Sequence, residues 1–191
     1  MGLTPKIHRI LIIYCCLSET AMRLLKLSLY FSLFIHASLT LAQTCSPNII
    51  ADAPNSRYIM NANGTVLDKK TALIWMRCAL GQTWRNGGCT GSAQDYDWRG
   101  ALVAAKSTAF AGKKDWRLPN QKELQSLVEN RCHDPAINRT AFPNSNDAWY
   151  WSSSLLAGDN VGAWLIDFSY GRDGWSNKSG GHYVRLVRRG Q

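Results

Sequence analysis

The sequence predicts an α+β domain in which two helices pack on small antiparallel sheets with long loops, stabilised by disulfides. Three observations support this prediction. The stretch from Asp115 to Val128 has the pattern of a capped amphipathic helix, and a second helix pattern begins at Asp97. Short apolar runs separated by turn residues, which are typical of antiparallel strands, dominate from Trp149 to the C-terminus. Four cysteines remain once an N-terminal targeting segment is set aside.

Residues 1–42 have the pattern of a secretory signal peptide. A basic segment at 23–26 precedes an apolar run over 27–41, and small residues end the run at Ala42, where we expect cleavage. Because a signal peptide normally begins at its basic segment, translation could start at Met22. A membrane anchor is less favoured because charged and polar residues interrupt the apolar run. Lipidation of the next cysteine is less favoured because a threonine precedes it.

The remaining chain is long enough for one domain with a substantial core. We expect an N-terminal tail over 43–57 and the folded domain over 58–191. These residues carry 18 of the 22 basic and 12 of the 13 acidic side chains, so their net charge is +6. A basic exported domain favours polyanionic partners such as acidic or sulfated glycans, whereas export argues against nucleic acid.

An even number of cysteines in an exported chain predicts two disulfides among Cys45, Cys78, Cys89 and Cys132. Four cysteines allow three pairings. Cys78 and Cys89 bracket a glycine-rich turn and are the natural local pair, which would leave Cys45 to join Cys132. A zinc site is disfavoured because the spacings contain no close pair of cysteines or histidines.

The first half of the domain contains three strand signals and the first of two helix signals. Runs at 58–60 and 65–68 flank Asn63-Gly64, which predicts a hairpin with a two-residue primed turn. The apolar run 73–76 predicts a buried strand, and 82–96 predicts a loop held by the local disulfide. Asp97 is suited to cap a helix from Trp98 to about Ser107.

The second helix is expected from Gln121 to about Asn130. Asn120 is suited to cap its first turn, and Glu123 can complete a capping box by reaching back to the Asn120 backbone. Its buried stripe is apolar: Leu124, Leu127 and Val128.

Three strands are expected in the last third of the chain, over 149–154, 163–168 and 183–188. The segments around them are expected to be a loop at 136–147, a turn at 158–160, a glycine-rich loop at 170–175 and a flexible polar stretch at 176–181.

Five segments occur in the same order as in one bacterial domain family: 72–78, 81–84, 115–124, 151–154 and 184–188. From about Tyr58 to Arg189 the chain resembles the domain of unknown function at the C-terminus of the Legionella collagen-like adhesin. This resemblance implies a C-type lectin-like fold, which in the adhesin is associated with trimers and with binding of sulfated glycans. Since no collagen-like repeat precedes the domain, trimerisation through a stalk does not carry over, and a homo-oligomer stays open.

The sequence predicts no cofactor. C-type lectins that bind sugar through calcium use Glu-Pro-Asn or Gln-Pro-Asp together with Trp-Asn-Asp, and the nearest approach here, Phe142-Pro143-Asn144, lacks the carboxylate. Four other residues could cluster as oxygen ligands for calcium, although turn capping explains them better: Asp159, Asn160, Asp167 and Asp173.

A non-enzymatic protein is predicted because no convergent set of reactive groups is recognisable. The expected mature chain holds only His133, interpreted as a satisfied loop residue, and His182, interpreted as solvated. Nucleophile-elbow, phosphate-loop, zinc-protease and dinucleotide-binding motifs are missing from the sequence.

Binding is predicted instead, because the chain combines positive charge, aromatic residues and a set of polar loops between Gly158 and His182. Basic side chains at 113–114, Arg117 and 188–189 contribute to the charge, whereas Trp75, Trp116 and Trp164 are expected in the core. The predicted ligand-binding residues are Tyr170, Arg172, Asp173, Trp175, Lys178, Tyr183 and Arg185.

The sequence therefore predicts an exported binding domain for a glycan or another polyanionic surface ligand, acting in adhesion. Its expected location is the periplasm, the cell surface or the medium. The alternative is an envelope module that binds a protein or serves a structural role. An exported hydrolase is the least favoured function.

Overall fold

The computed structural model describes residues 43–158 and 160–190. Its largest sheet has four antiparallel strands, β2 (Tyr58–Met60), β3 (Thr65–Asp68), β4 (Leu73–Met76) and β11 (Val187–Arg189). Their spatial order is β11-β4-β3-β2. Arg117 extends this sheet, because its backbone exchanges hydrogen bonds of 2.9 and 3.0 Å with Val187. The segment Asp115–Pro119 is thereby fixed beside the sheet.

A second antiparallel sheet has the strands β8 (Trp149–Leu155), β9 (Gly162–Asp167) and β10 (Arg172–Asn177). Their spatial order is β10-β9-β8. Two short strand pairs complete the β structure of the described residues: β1 (Thr44–Cys45) with β7 (Cys132–His133), and β5 (Thr83–Arg85) with β6 (Gly88–Thr90).

Two α-helices lie between these strands, α1 (Trp98–Ser107) and α2 (Gln121–Gln125). The predicted bounds of α1 are confirmed, and Asp97 caps it by accepting from the Gly100 N–H at 2.5 Å. The indole N–H of Trp98 donates to the Ser152 carbonyl at 2.9 Å and fixes α1 to β8. The α+β prediction is confirmed.

The predicted start of α2 is confirmed, but its predicted length is wrong. Asn120 Oδ1 accepts from the Glu123 N–H, and Glu123 Oε2 accepts from the Asn120 N–H, both at 2.8 Å. The helix nevertheless ends at Gln125 rather than near Asn130. Val128 leaves the helical path to form a β-bridge with Ile137, so tertiary pairing overrides the local pattern.

The core consists of two hydrophobic clusters that lie on opposite faces of the sheets. In β8, Tyr150 belongs to the cluster that contains the apolar stripe of α2, and Trp151 belongs to the cluster packed against α1. In β4, Trp75 and Met76 divide in the same way. β4 and the first half of β8 are therefore buried on two sides, which explains the uninterrupted apolar runs Leu73–Met76 and Trp149–Trp151.

Both favoured disulfides are confirmed, Cys78–Cys89 and Cys45–Cys132. The second one joins β1 to β7, so the expected tail is attached to the domain. A buried ion pair between Arg57 and Asp68 then ties the 3₁₀ turn Asn55–Arg57 to β3. Burial alone would raise the pKa of Asp68, but the hydrogen bonds from Arg57 and Thr71 outweigh it and hold that pKa below its usual value.

The prediction of a glycine-rich loop at 170–175 is wrong, because Arg172–Asn177 forms β10. Gly171, with φ of 75°, makes the turn that precedes this strand. Gly174 lies inside the strand, where the Trp149 ring covers it. A Cβ at this position would come within 2.7 Å of that ring, so the close packing requires glycine. A glycine that signals a loop in sequence is here a site of close packing.

Three smaller predictions also need correction. The predicted loop at 82–96 contains the β5–β6 hairpin, and the last strand is shorter than predicted. The β2–β3 hairpin is confirmed, but its turn is longer than two residues, since the Asn61 N–H bonds the Thr65 carbonyl. In this turn only Gly64 has positive φ, and the Asn63 side chain accepts from the Thr65 N–H.

The predicted signal peptide over 1–42 lies outside the described residues. Among the residues that are described, no helix has the length and apolar character needed to span a membrane.

Candidate functional site

The predicted ligand-binding residues do not converge on one place. Tyr170 and Arg172 form one group, with the Arg172 guanidinium 5.0 Å from the centre of the Tyr170 ring. His133 stacks on Tyr170 at 6.1 Å between ring centres, and its imidazole lies 2.8 Å from the Asp134 carboxylate. This group is exposed, and Arg172 is already balanced in part by the buried Asp167 carboxylate at 3.5 Å.

Asp173 and Trp175 project from the opposite face of β10, because side chains alternate along a strand. Trp175 pairs in register with Trp164 of β9 and is 59% exposed. Trp164 is half-buried, so its predicted place in the core is only partly right, whereas Trp75 and Trp116 are buried as predicted. Asp173 accepts a hydrogen bond of 3.1 Å from the Gln121 amide.

Lys178 and Tyr183 contribute to neither group. The Lys178 ammonium donates to the Asn160 carbonyl at 2.6 Å and lies 5.1 Å from the centre of the Trp98 ring, so it serves to hold α1 beside β10. Tyr183 is half-buried and packs against Tyr150. These contacts give both residues structural roles.

The prediction that Arg185 binds ligand is wrong, because Arg185 is completely buried. Its guanidinium donates to the Met76 carbonyl at 3.1 Å and to the Ser145 hydroxyl at 2.7 Å. It lies 4.9 Å from the centre of the Phe142 ring. Carbonyl dipoles and aromatic faces replace the carboxylate that a buried arginine usually pairs with, and no ligand can reach it.

The described potential calcium ligands do not form one cluster, since Asn160 precedes β9 and Asp167 is its last residue. Asp159 lies outside the described residues, the Asn160 carbonyl is taken by Lys178, and Asp167 caps the Ser169 N–H at 2.8 Å. Within the described part of the chain, no three histidine, cysteine or acidic side chains form a cluster that could hold a metal ion.

A basic groove that the sequence did not define lies between α1, the segment Asp115–Pro119 and β8. Its volume is about 390 Å³. Three of its lining side chains are cationic, one carries a hydroxyl and the others are apolar. The lining residues are Leu102, Ala105, Lys106, Lys114, Trp116, Arg117, Leu118 and Ser153. We call this feature the basic groove.

Each cation of the groove comes from a rigidly held element. Lys106 is in the last turn of α1, and Lys114 precedes the segment that is bonded to β11. Arg117 forms two 2.7 Å hydrogen bonds with the Glu123 carboxylate, which raise the pKa of Arg117. This carboxylate neutralises one of the three charges, so the groove carries a net positive charge from Lys106 and Lys114.

The surroundings of the groove add further positive charge. Arg188 is buried and donates to the Asp115 carboxylate at 2.9 Å, which lowers the pKa of Asp115. The charge of Lys113 lowers the pKa of Asp115 further. Burial alone would raise the pKa of Glu123, but the hydrogen bonds from Arg117 and the nearby charge of Arg189 hold that pKa below its usual value. The carboxylates nearest the groove are therefore outnumbered by cations, and the region attracts anions.

A family model described as the Lcl C-terminal domain matches residues 64–188. The chain belongs to the Lcl C-terminal domain family. The Lcl C-terminal domain match begins in the β2–β3 hairpin and ends in β11, so it includes the basic groove and all of β10. The family assignment from the sequence is confirmed. No protein of curated function matches the chain.

Sequence reasoning found Lys114 and Arg117 as part of the positive charge but missed Lys106 and Ser153 in this Lcl C-terminal domain. Lys106 carries no local signal, because a lysine in the last turn of a helix is ordinary. What unites it with Lys114 is the packing of α1 on β8, which no sequence pattern specifies.

Proposed function

We propose that this Lcl C-terminal domain is an exported, non-enzymatic binding domain that recognises an anionic glycan or a similar polyanionic surface ligand in adhesion. The observation that carries the proposal is the basic groove, in which Lys106 and Lys114 stand above an apolar floor on a rigid scaffold. Sulfate and carboxylate groups would interact with the two ammonium groups, and the ring carbons of a sugar would contact the floor.

Two further observations support this function. Membership in the family makes the chain an adhesin-related domain. The two disulfides are consistent with an oxidising location outside the cytoplasm, which is where surface glycans occur. A C-type lectin-like fold is part of the same proposal, and the arrangement of two helices on small antiparallel sheets is compatible with it.

Retention on a heparin resin tests the function. We expect the full chain to stay bound until about 0.3 M salt, since exposed charges separated by more than a few ångströms are largely screened at that ionic strength. The double substitution K106A/K114A should elute at clearly lower salt. The matched control is K69A/K70A, which removes the same charge from two exposed lysines at the β3–β4 turn.

Equal loss of retention in the two double variants would show that only net charge matters, and the groove assignment would be wrong. If the unchanged protein passes through the resin and instead co-purifies with an envelope protein, the protein-interaction function replaces the one proposed here.

A further inference from the structure

We propose that a second subsite, on the opposite side of the α2 N-terminus from the basic groove, binds an uncharged sugar residue. It consists of Trp164, Trp175, Asp173, Gln121 and Gln125, and we call it the indole–amide surface. The inference deepens the proposed function and rests on it, because it takes the ligand to be a glycan. It adds that the glycan carries uncharged sugar rings beside its anionic groups.

The first support is a pair of indole rings on one face of the sheet. Trp164 and Trp175 are directly opposite in the β9–β10 register. Trp175 is 59% exposed, although an indole ring of this size is usually mostly buried. The face of an aromatic ring is electron-rich and attracts the weakly positive C–H groups that one side of a pyranose ring presents. An exposed indole on a regular strand is therefore suited to stack against a sugar.

The second support is a set of fixed polar groups beside these rings. Asp173 is two residues from Trp175, so the two side chains share a face and are separated by roughly 7 Å along the strand. The Gln121 amide donates to Asp173 at 3.1 Å, and the Gln121 backbone N–H donates to the Ser154 hydroxyl at 3.0 Å. A carboxylate and an amide in fixed positions offer the several acceptors and donors that vicinal hydroxyls require.

The third support is a second amide side chain held in place beside the first. The Gln125 amide donates to the Gly171 carbonyl at 3.2 Å, and its oxygen Oε1 is buried. Gln125 also lines the depression described next, so the exposed part of this fixed side chain is available to a sugar.

A depression of about 490 Å³ lies between α2 and β10, lined by Gln121, Lys122, Gln125, Ser126 and Asp173. This volume falls within the range of small-molecule sites, roughly 300–1,000 Å³. Trp175 lies outside the lining, two residues along β10 from Asp173 and on the same face. The Asp173 carboxylate offsets the single cation, Lys122, so the depression favours an uncharged group over an anion.

The subsite and the basic groove are close along the chain. Ser153 lines the groove, whereas Ser154 bonds the Gln121 that lines the depression. The segment Leu118–Gln121 passes from one to the other over the edge of β8, where the Ser153 N–H donates to the Pro119 carbonyl. A glycan chain bound in the groove can continue around this edge to the indole rings.

The test uses the full chain with three uncharged probes, cellohexaose, maltohexaose and N-acetylchitohexaose, and with a heparin hexasaccharide. Indole N–H signals in NMR spectra report on the tryptophans. We expect at least one uncharged probe to move the Trp175 signal, with an affinity that does not change between 0.05 and 0.5 M salt. Asp173→Ala and Trp175→Ala should each weaken that binding at least tenfold. Because Trp175→Ala removes the reporting indole, binding to that variant is followed through the Trp164 indole signal.

The matched control is Ile59→Ala, which truncates an exposed apolar side chain on β2. It should leave the binding of the uncharged probe unchanged within twofold, and Trp175→Ala should leave heparin binding unchanged within twofold. If the heparin hexasaccharide binds but none of the three uncharged probes moves the Trp175 signal, the subsite is refuted and the proposed function stands. If an uncharged probe binds and heparin does not, the anionic part of the proposed function fails and the subsite stands.

Discussion

At the scale of single residues, chemical type alone does not place a side chain at a surface. Arg172 and Arg185 both belong to the basic C-terminal part of the chain, yet Arg172 is exposed beside Tyr170 and Arg185 is buried against Phe142. The apolar neighbours Val184, Leu186 and Val187 on both sides of the arginine are buried with it. The sequence could not provide the acceptors that make burial of the cation tolerable, since the Met76 carbonyl comes from β4 and the Ser145 hydroxyl comes from the loop after Phe142.

Arg185→Ala should therefore destabilise the fold without acting on a binding site. It leaves the Met76 carbonyl and the Ser145 hydroxyl without their donor and opens a cavity, and such changes together cost about 3–5 kcal/mol. Chemical denaturation of the purified variant measures this loss. Arg172→Ala, the exposed control, should change the free energy of unfolding by less than about 0.5 kcal/mol. Equal and small effects would mean that Arg185 is not buried as described.

His182 should make stability depend on pH in the mildly acidic range. The sequence indicated a solvated residue, but its ring lies 4.8 Å from the centre of the Trp151 ring and is half-buried. Burial lowers the pKa of His182, and the nearby Asp95 offsets this only in part. The unfolded chain then binds the proton more tightly than the folded one, so the stability contribution is present above the unfolded pKa of about 6.5 and is lost as pH falls below it.

Melting temperatures at pH 7.5 and at pH 5.5 measure this effect. We expect the difference between the two values to be smaller for His182→Gln than for the unchanged protein, because glutamine does not titrate. A difference of the same size in both proteins would assign the pH dependence to other groups.

At the scale of elements, local signals defined where helices begin better than where they end. Both N-caps and both helix starts were predictable, because Asp97 and Asn120 act on the N–H groups of the next few residues. The end of α2 depends on the bridge between Val128 and Ile137, which is a tertiary contact. β10 was not predicted for a related reason. Gly174 indicates a loop in the sequence, and only its tertiary contact with the Trp149 ring explains why a strand contains it.

The capping box of α2 should contribute measurably to stability. Asn120→Ala removes the acceptor for the Glu123 N–H, and loss of such a cap costs about 1 kcal/mol. Lys122→Ala is the control, because Lys122 is exposed in the same short helix and takes no part in the cap. Denaturation curves should show the loss for Asn120→Ala alone. If both variants lose the same stability, the loss does not come from the cap.

At the scale of the whole molecule, the family, the α+β class and both disulfides were predictable from the sequence, but the functional surface was only partly so. The loops from Gly158 to His182 were expected to gather the ligand-binding residues. Their side chains instead divide between the two faces of β10, and the basic groove arises from α1 and the segment Asp115–Pro119. Because the sequence assigned these residues to a loop, the alternation of their side chains between the two faces of a strand could not be predicted.

The two disulfides should stabilise the fold to different extents. They separate their cysteines by 11 and 87 residues, and the chain-entropy relation assigns about 3 and about 4.5 kcal/mol to loops of these lengths. Replacing Cys45 and Cys132 by alanine should therefore lower the free energy of unfolding more than replacing Cys78 and Cys89. Calorimetry on the two double variants decides this order, and the reverse order would contradict the entropic account.

The central claim is that the basic groove holds the anionic ligand, and lysine footprinting tests it most directly. Acetylation of the folded full chain, with and without a heparin hexasaccharide, is quantified at each lysine by mass spectrometry. We predict that Lys106 and Lys114 are protected by the ligand, whereas Lys69 and Lys70 react equally in both samples. Protection at Lys69 and Lys70, or unchanged reactivity at Lys106 and Lys114 while the hexasaccharide is bound, would contradict the claim.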